Sequence, residues 1–120
     1  VVASIGADKT GTLYNVNADT MAGALAERLW AERLVIAGTT PGVVDADAHT
    51  IAELSEPAEQ QIVESGAANA GMLAKLQACR AALRAGVGSV LIVNGRDTSR
   101  LESAVVRGTS PDGSMTRMVP

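Results

Sequence analysis

Leu34-Val35-Ile36-Ala37-Gly38-Thr39-Thr40-Pro41-Gly42 is the stretch on which the fold turns. Its four leading residues are apolar without alternation, the pattern of a strand buried on both faces. Pro41-Gly42 marks a turn at the carboxyl end of that strand. Upstream, Asn17 to Ala31 has helical spacing, with Met21, Leu25 and Leu29 at i, i+4 and i+8. Asn17 or Asp19 is placed to accept the first free N–H groups of that helix. Residues 1–6 and 12–14 read as two short strands around the turn Asp8-Lys9-Thr10-Gly11.

Downstream, Asp45 to Ser55 is a polar stretch leading into a helix of about 56–64. A longer helix is expected from about Gly71 to Ala85, with an apolar stripe of Met72, Leu76, Cys79 and Leu83 and a stop at Gly86. Ser89 to Val93 repeats the fully apolar strand. Ser99 with Glu102 three residues on is a capping-box signature for a short helix, and a last strand is expected at about Thr116 to Val119. Strands alternating with helices predict an α/β fold, a mainly parallel sheet sandwiched by helices. The 120 residues suit one domain, and no repeat or linker divides them.

Composition narrows the partners. Hydrophobic residues are 47% and charged residues 19%, a globular balance. Aromatics are 2% and Phe is absent, so base-stacking surfaces are not expected. A net charge of −3 gives no electrostatic footprint for nucleic acid or an anionic membrane, and no apolar run reaches spanning length. The single cysteine, Cys79, excludes an internal disulfide and fits a reducing compartment, so a cytoplasmic location is expected. Val1-Val2-Ala3-Ser4-Ile5-Gly6 opens without Met in strand-like sequence, which reads as a chain entered part-way.

Several tempting motifs fail on chemistry. Gly6 and Gly11 have the spacing that opens a phosphate loop, but Thr12 and Leu13 stand where Lys and Ser/Thr are needed, and the context is a hairpin. No GxGxxG occurs. His49, the one histidine, sits in a polar stretch and reads as solvated; Cys79 falls on an apolar stripe and reads as core. No metal-ligand cluster and no nucleophile–base pair can be assembled.

Three elements converge instead. Asn15-Val16-Asn17-Ala18-Asp19 packs polar side chains at a strand-to-helix junction, where free N–H groups and the positive dipole end favour anions. Gly38-Thr39-Thr40-Pro41-Gly42 lies at the carboxyl end of a buried strand, where open α/β sheets bind ligands. In Asn69-Ala70-Gly71-Met72-Leu73-Ala74-Lys75 a Gly opens a helix and a Lys follows one turn later.

In that order the three elements resemble the acetylglutamate kinase family, of the amino-acid kinase (carbamate kinase-like) fold. Leu13 to Asp19 is similar to the stretch ending in the family's Asn-x-Asn-Ala-Asp motif, Pro41-Gly42-Val43 to the end of its nucleotide loop, and Gly71-Met72 with Lys75 to its Gly-Met-x-x-Lys motif. Ala85 to Val90 and Val93-Asn94-Gly95-Arg96 resemble its later Gly-Val and Asp-Gly-Arg segments. The resemblance implies transfer of a phosphoryl group from ATP, with Mg²⁺ bound alongside the nucleotide, to the side-chain carboxylate of N-acetyl-L-glutamate in arginine biosynthesis. By the same resemblance Asp19 orients the active-site lysines, Lys75 stabilises the transferring group and Asn15 holds the substrate. Gly38, Thr39, Thr40 and Gly42, with Ala67, Asn69 and Gly71, then serve the nucleotide.

Two positions depart from the family: Thr39 stands for an Asp, and Ala70 for a second Gly. The family's first lysine and glycine-rich loop belong to an N-terminal half not found in this sequence. The expectation is therefore residues 1–120 as a C-terminal ATP-binding part, inactive alone, working as a homo-oligomer or with a complementing N-terminal half. The carrier-protein-linked aminoadipate kinases are a neighbouring resemblance, against which Ala18 before Asp19 counts. A non-catalytic nucleotide-binding or regulatory module is the alternative outside enzymology.

Overall fold

The computed structural model describes residues 1–66, 68–109 and 113–120. Its elements follow the expected alternation. A hairpin of β1 (Ile5–Ala7) and β2 (Leu13–Asn15) precedes α1 (Ala18–Arg28), β3 (Arg33–Gly38) and β4 (Glu53–Leu54). Helices α2 (Glu56–Glu64) and α3 (Ala70–Arg84) follow, then β5 (Ser89–Asn94), α4 (Thr98–Val106) and β6 (Thr116–Met118).

Among the described residues, four strands form a sheet in the order β3-β5-β6-β4. β3 and β5 are parallel, with Arg33 opposite Ser89 and Gly38 opposite Asn94. β4 is parallel to β6, and β5–β6 is the antiparallel pair. The sheet is therefore mainly parallel, as expected, with one reversal.

Side-chain alternation along β5 builds two cores. Val90 and Ile92 pack with Leu34, Ile36 and the apolar faces of α1 and α3, while Leu91 and Val93 pack with Val35, Leu101 and Ala104 of α4. Helices thus cover both faces, which is why β5 has no polar alternation. The stripe expected on α3 is the buried one: Leu76 and Cys79 are fully buried, Leu83 nearly so, and Met72 packs at the margin.

α1 corrects its reading twice. It ends at Arg28, three residues before the expected Ala31. Trp30 takes a left-handed φ of 53°, its N–H donates to the Glu27 carbonyl, and the Ala31 N–H reaches back to Ala26. That is a Schellman stop with Trp where Gly is usual. The spacing of Met21, Leu25 and Leu29 does not mark the buried face: Leu25 and Leu29 are exposed, and Gly23 and Ala26 are the buried residues. Small residues win because α1 lies close against α3; a Cβ on Gly23 would sit 3.5 Å from both the Ala78 carbonyl and the Ala82 methyl.

Other boundaries shift less. β4 was hidden in the polar stretch 45–55 because two residues carry no periodicity, yet Leu54 is fully buried. The capping box at Ser99 does not form: Asp97 is the cap, accepting from the Arg100 N–H at 3.2 Å, and Ser99 instead donates to Asp97 at 2.8 Å. The hairpin forms around the expected turn, but its strands are Ile5–Ala7 and Leu13–Asn15 rather than 1–6 and 12–14. Asp8 Oδ1 accepts from the N–H groups of Thr10 and Thr12, and Asp8 Oδ2 accepts from the Tyr14 hydroxyl at 3.0 Å.

Candidate functional site

Two helix starts and two strand ends share one end of the sheet. α1 leads into β3 and α3 into β5 through short connections, so each helix runs antiparallel to the strand it feeds. Each helix N-terminus then stands over the carboxyl end of its strand, and because β3 and β5 are parallel both starts lie at the Gly38–Asn94 end. Ligands of open α/β sheets bind at such ends.

The caps are local. Asn17 Oδ1 accepts from the Thr20 N–H at 3.0 Å, and Asn69 Oδ1 accepts from the Met72 N–H at 2.9 Å. Each satisfies one of the free donors at a helix start. With Asn17 and Asn69 so placed, the first turns project Asp19 and, one turn deeper, Lys75 into the space between the helices.

Lys75 Nζ donates to Asp19 Oδ2 at 2.7 Å, across 56 positions of sequence. Their side chains are 18% and 24% exposed, so the pair is screened less than a surface pair while still open to an incoming group. One turn further into α3, burial, reinforced by the negative charge of Asp19, pushes the Cys79 thiol up to about 12. Cys79 is a neutral core residue, as its stripe position suggested.

At the end of β3 the loop is held from two sides. The Gly95 N–H donates to the Gly38 carbonyl at 2.9 Å, and the Thr40 hydroxyl donates to the Gly42 carbonyl at 3.0 Å. Thr39 and Thr40 are exposed between these anchors, and Gly42 is buried. A Cβ on Gly42 would stand 2.5 Å from Thr116 Oγ1 and 2.8 Å from the Thr116 nitrogen, so only glycine fits. Sequence reasoning missed Thr116, a polar residue at the start of the last strand whose partners lie 65 and 73 positions away, beyond any local signal.

Of the residues singled out in sequence, Asp19 and Lys75 are brought into contact. Gly38, Thr39, Thr40 and Gly42 share their end of the sheet through topology, as do Asn69 and Gly71 at the start of α3. No hydrogen bond among the described residues joins the loop to the ion pair. Asn15 stands apart at the exposed end of β2, opposite Ile5. Ala67 lies outside the described residues. A cavity of about 280 Å³ opens elsewhere, toward the C-terminal half of α3, beside the buried Arg80–Glu59 pair.

One cluster among the described residues has metal-ligand spacing, Asp45, Asp47 and His49, all exposed. Its geometry is already explained by a turn: Asp45 Oδ1 accepts from the N–H groups of Asp47 and His49 at 3.0 and 2.9 Å. Asp19, the carboxylate of the candidate site, is occupied by Lys75.

Comparison with known proteins decides the family. The chain matches the Amino acid kinase family over residues 1–94, a span containing every site residue predicted from sequence. The chain belongs to the amino acid kinase family. Among its relatives, the acetylglutamate kinase of Ehrlichia chaffeensis is 40% identical over 111 residues, covering 91% of this chain and 35% of that protein. The acetylglutamate kinase of Brucella anthropi is 38% identical over all 120 residues, 40% of its own length. The chain thus spans little more than a third of the curated relatives it matches.

Solved structures carry the amino acid kinase fold across the same region. The smu.665 protein of Streptococcus mutans is 31% identical with a TM-score of 0.72, over 78% of this chain and 38% of that one. N-acetylglutamate synthase of Neisseria gonorrhoeae, solved with coenzyme A and N-acetyl-glutamate, aligns at 25% identity and a TM-score of 0.85. That match covers 98% of this chain and 26% of the synthase.

Proposed function

We propose that this chain supplies the nucleotide half-site for ATP-dependent phosphorylation of the side-chain carboxylate of N-acetyl-L-glutamate, a step of arginine biosynthesis in the cytoplasm. The observation that carries the reading is the Lys75–Asp19 contact of 2.7 Å between the N-terminal halves of α1 and α3, the helices that lead into β3 and β5. The acetylglutamate kinase names of relatives near 40% identity support the acceptor.

The chemistry suits these residues. A carboxylate acceptor is ionised at neutral pH and needs no general base, so the lack of a histidine at the site is no obstacle. Phosphoryl transfer then depends on positioning and on neutralising charge around the moving group. Lys75 supplies a mobile ammonium, Asp19 holds it ready, and the starts of α1 and α3 add their positive dipole ends. The loop from Gly38 to Gly42, with Asn69 and Gly71, lines the nucleotide side, and Asn15 meets the acceptor acid. Mg²⁺ arrives on the phosphates and offsets their charge. A homo-oligomer or a complementing N-terminal half supplies the acceptor pocket and the family's first lysine.

A second reading has one specific support. The synthase match has this architecture within a protein named for a different reaction, so a non-catalytic nucleotide-binding or regulatory module is the competing role. Calorimetric titration with ATP and Mg²⁺ tests the nucleotide site itself. The native chain is expected to bind, and Lys75→Ala to weaken binding about tenfold or more, as loss of a charge-assisted contact does. A folded chain that takes up no ATP at millimolar concentration would overturn the nucleotide half-site.

A further inference from the structure

Thr116 is fully buried at the start of β6, and Met115 before it and Met118 at the strand's end are buried as well. A hydroxyl in such surroundings is costly unless partnered, and valine would fill the same space. Its hydrogen bonds leave its own strand pairing. The Val43 N–H donates to Thr116 Oγ1 at 2.8 Å, and Thr116 Oγ1 donates to the Ile51 carbonyl at 2.7 Å.

Val43 and Ile51 are the two legs of one excursion. The Ile51 N–H donates to the Val43 carbonyl at 2.9 Å, Val44 bridges Thr50, and the Asp45 N–H donates to His49. One hydroxyl therefore grips both legs at the base of the excursion, directly after Gly42. The missing Cβ of Gly42 is what lets it approach. At the other end of the loop the Gly95 N–H holds the Gly38 carbonyl. Residues 39–41 are suspended between two fixed points, one set by a side chain 73 positions away.

We infer that Thr116 is a positioning residue for the loop 38–42: its hydroxyl, seated against Gly42, sets where Thr39 and Thr40 stand to meet a nucleotide. This rests on the nucleotide reading of that loop. A loop held in its binding geometry loses less freedom on binding, so the hydroxyl acts on affinity without touching ligand.

The test uses the 120-residue chain, ATP with Mg²⁺ by calorimetry, and amide NMR. Thr116→Val keeps the packing and removes the hydroxyl; Thr116→Ser keeps the hydroxyl and removes a methyl group. Expected is ATP binding about tenfold weaker in Thr116→Val, with affinity within about twofold of native in Thr116→Ser even where its melting temperature falls. Amide resonances of 38–42 are expected to shift, and Val43 to lose exchange protection, in Thr116→Val but not in Thr116→Ser. Should Thr116→Val fail to fold, Thr116→Ala takes its place, because it differs from Thr116→Ser by the hydroxyl alone.

Native affinity with unmoved 38–42 resonances in the hydroxyl-less variant overturns the inference. So does Thr116→Ser binding as poorly as Thr116→Val. If the folded native chain binds no ATP, the nucleotide reading falls separately, and the amide resonances alone judge whether Thr116 places the loop.

Discussion

Lys75 on α3 and Asp19 on α1 meet at 2.7 Å although 56 residues separate them, and both are anchored within two turns of a capping asparagine. Partly desolvated and held by helix starts rather than by loops, the pair has less freedom to lose than a surface ion pair. Removing either partner is expected to cost about 1 kcal/mol of stability, and removing both little more than one. A double-mutant cycle of Asp19→Ala and Lys75→Ala in urea measures this; fully additive losses would show that the contact contributes nothing.

The Arg80–Glu59 pair raises the stakes of burial. Arg80 Nε donates to Glu59 Oε2 at 2.7 Å and Arg80 Nη1 to the Val119 carbonyl at 2.9 Å, with both side chains under 10% exposed. Glu59→Ala leaves a buried guanidinium without its counter-charge and is expected to destabilise by about 3–5 kcal/mol. Replacing both with Leu and Met is expected to recover most of that loss. Denaturant midpoints of the three variants check the order.

Trp30 holds a conformation that costs a side-chain-bearing residue energy, and the residue is 91% exposed. Trp30→Gly is expected to raise stability by about 1 kcal/mol, since glycine takes the left-handed position without steric conflict. Thermal unfolding followed by circular dichroism gives the answer; an unchanged or lower midpoint would show that the ring packs against something in solution.

Cys79 carries the pH prediction. Burial, then the charge of Asp19, raises its folded pKa from 9.0 to about 12. The unfolded chain releases this proton first as pH rises, so the contribution to stability is whole below about pH 9 and is lost between there and about 12. The native chain at pH 8 is expected to resist a thiol reagent until denatured. Rapid labelling of the folded chain would contradict the packing.

The hairpin turn rests on a carboxylate. The Thr10 hydroxyl first, then the Thr12 N–H, holds the Asp8 carboxyl well below the usual carboxylate range. A lowered folded pKa means that the turn's support is present above the ordinary value of 3.8 and lost only as pH falls through the depressed one. Asp8→Ala is expected to release the Tyr14 hydroxyl and the Thr12 amide. Hydrogen exchange at Thr12 reads this out, and unaltered protection would deny Asp8 its role.

What sequence alone determined here is whatever lies within a turn or two of itself. The unalternated runs of β3 and β5, the Gly86 stop, the Asp8 to Gly11 turn and the asparagine start of α1 all act through neighbours, and each appears where its residues predict. The polar cluster Asn15 to Asp19, the loop after β3 and the Gly71–Lys75 pair were legible as motifs for the same reason. Tertiary structure decided which face of α1 is buried, because contact with α3 rewards the closeness of Gly23 and Ala26 over the larger Leu25 and Leu29. It decided the β4–β6 pairing, the Arg80–Glu59 pair, the meeting of Lys75 with Asp19, and the grip of Thr116 on the loop beyond Gly42. Periodicity carries no information about partners tens of residues away; those are selected when helices and strands pack, and each buried polar group then takes the partner that packing brings within reach.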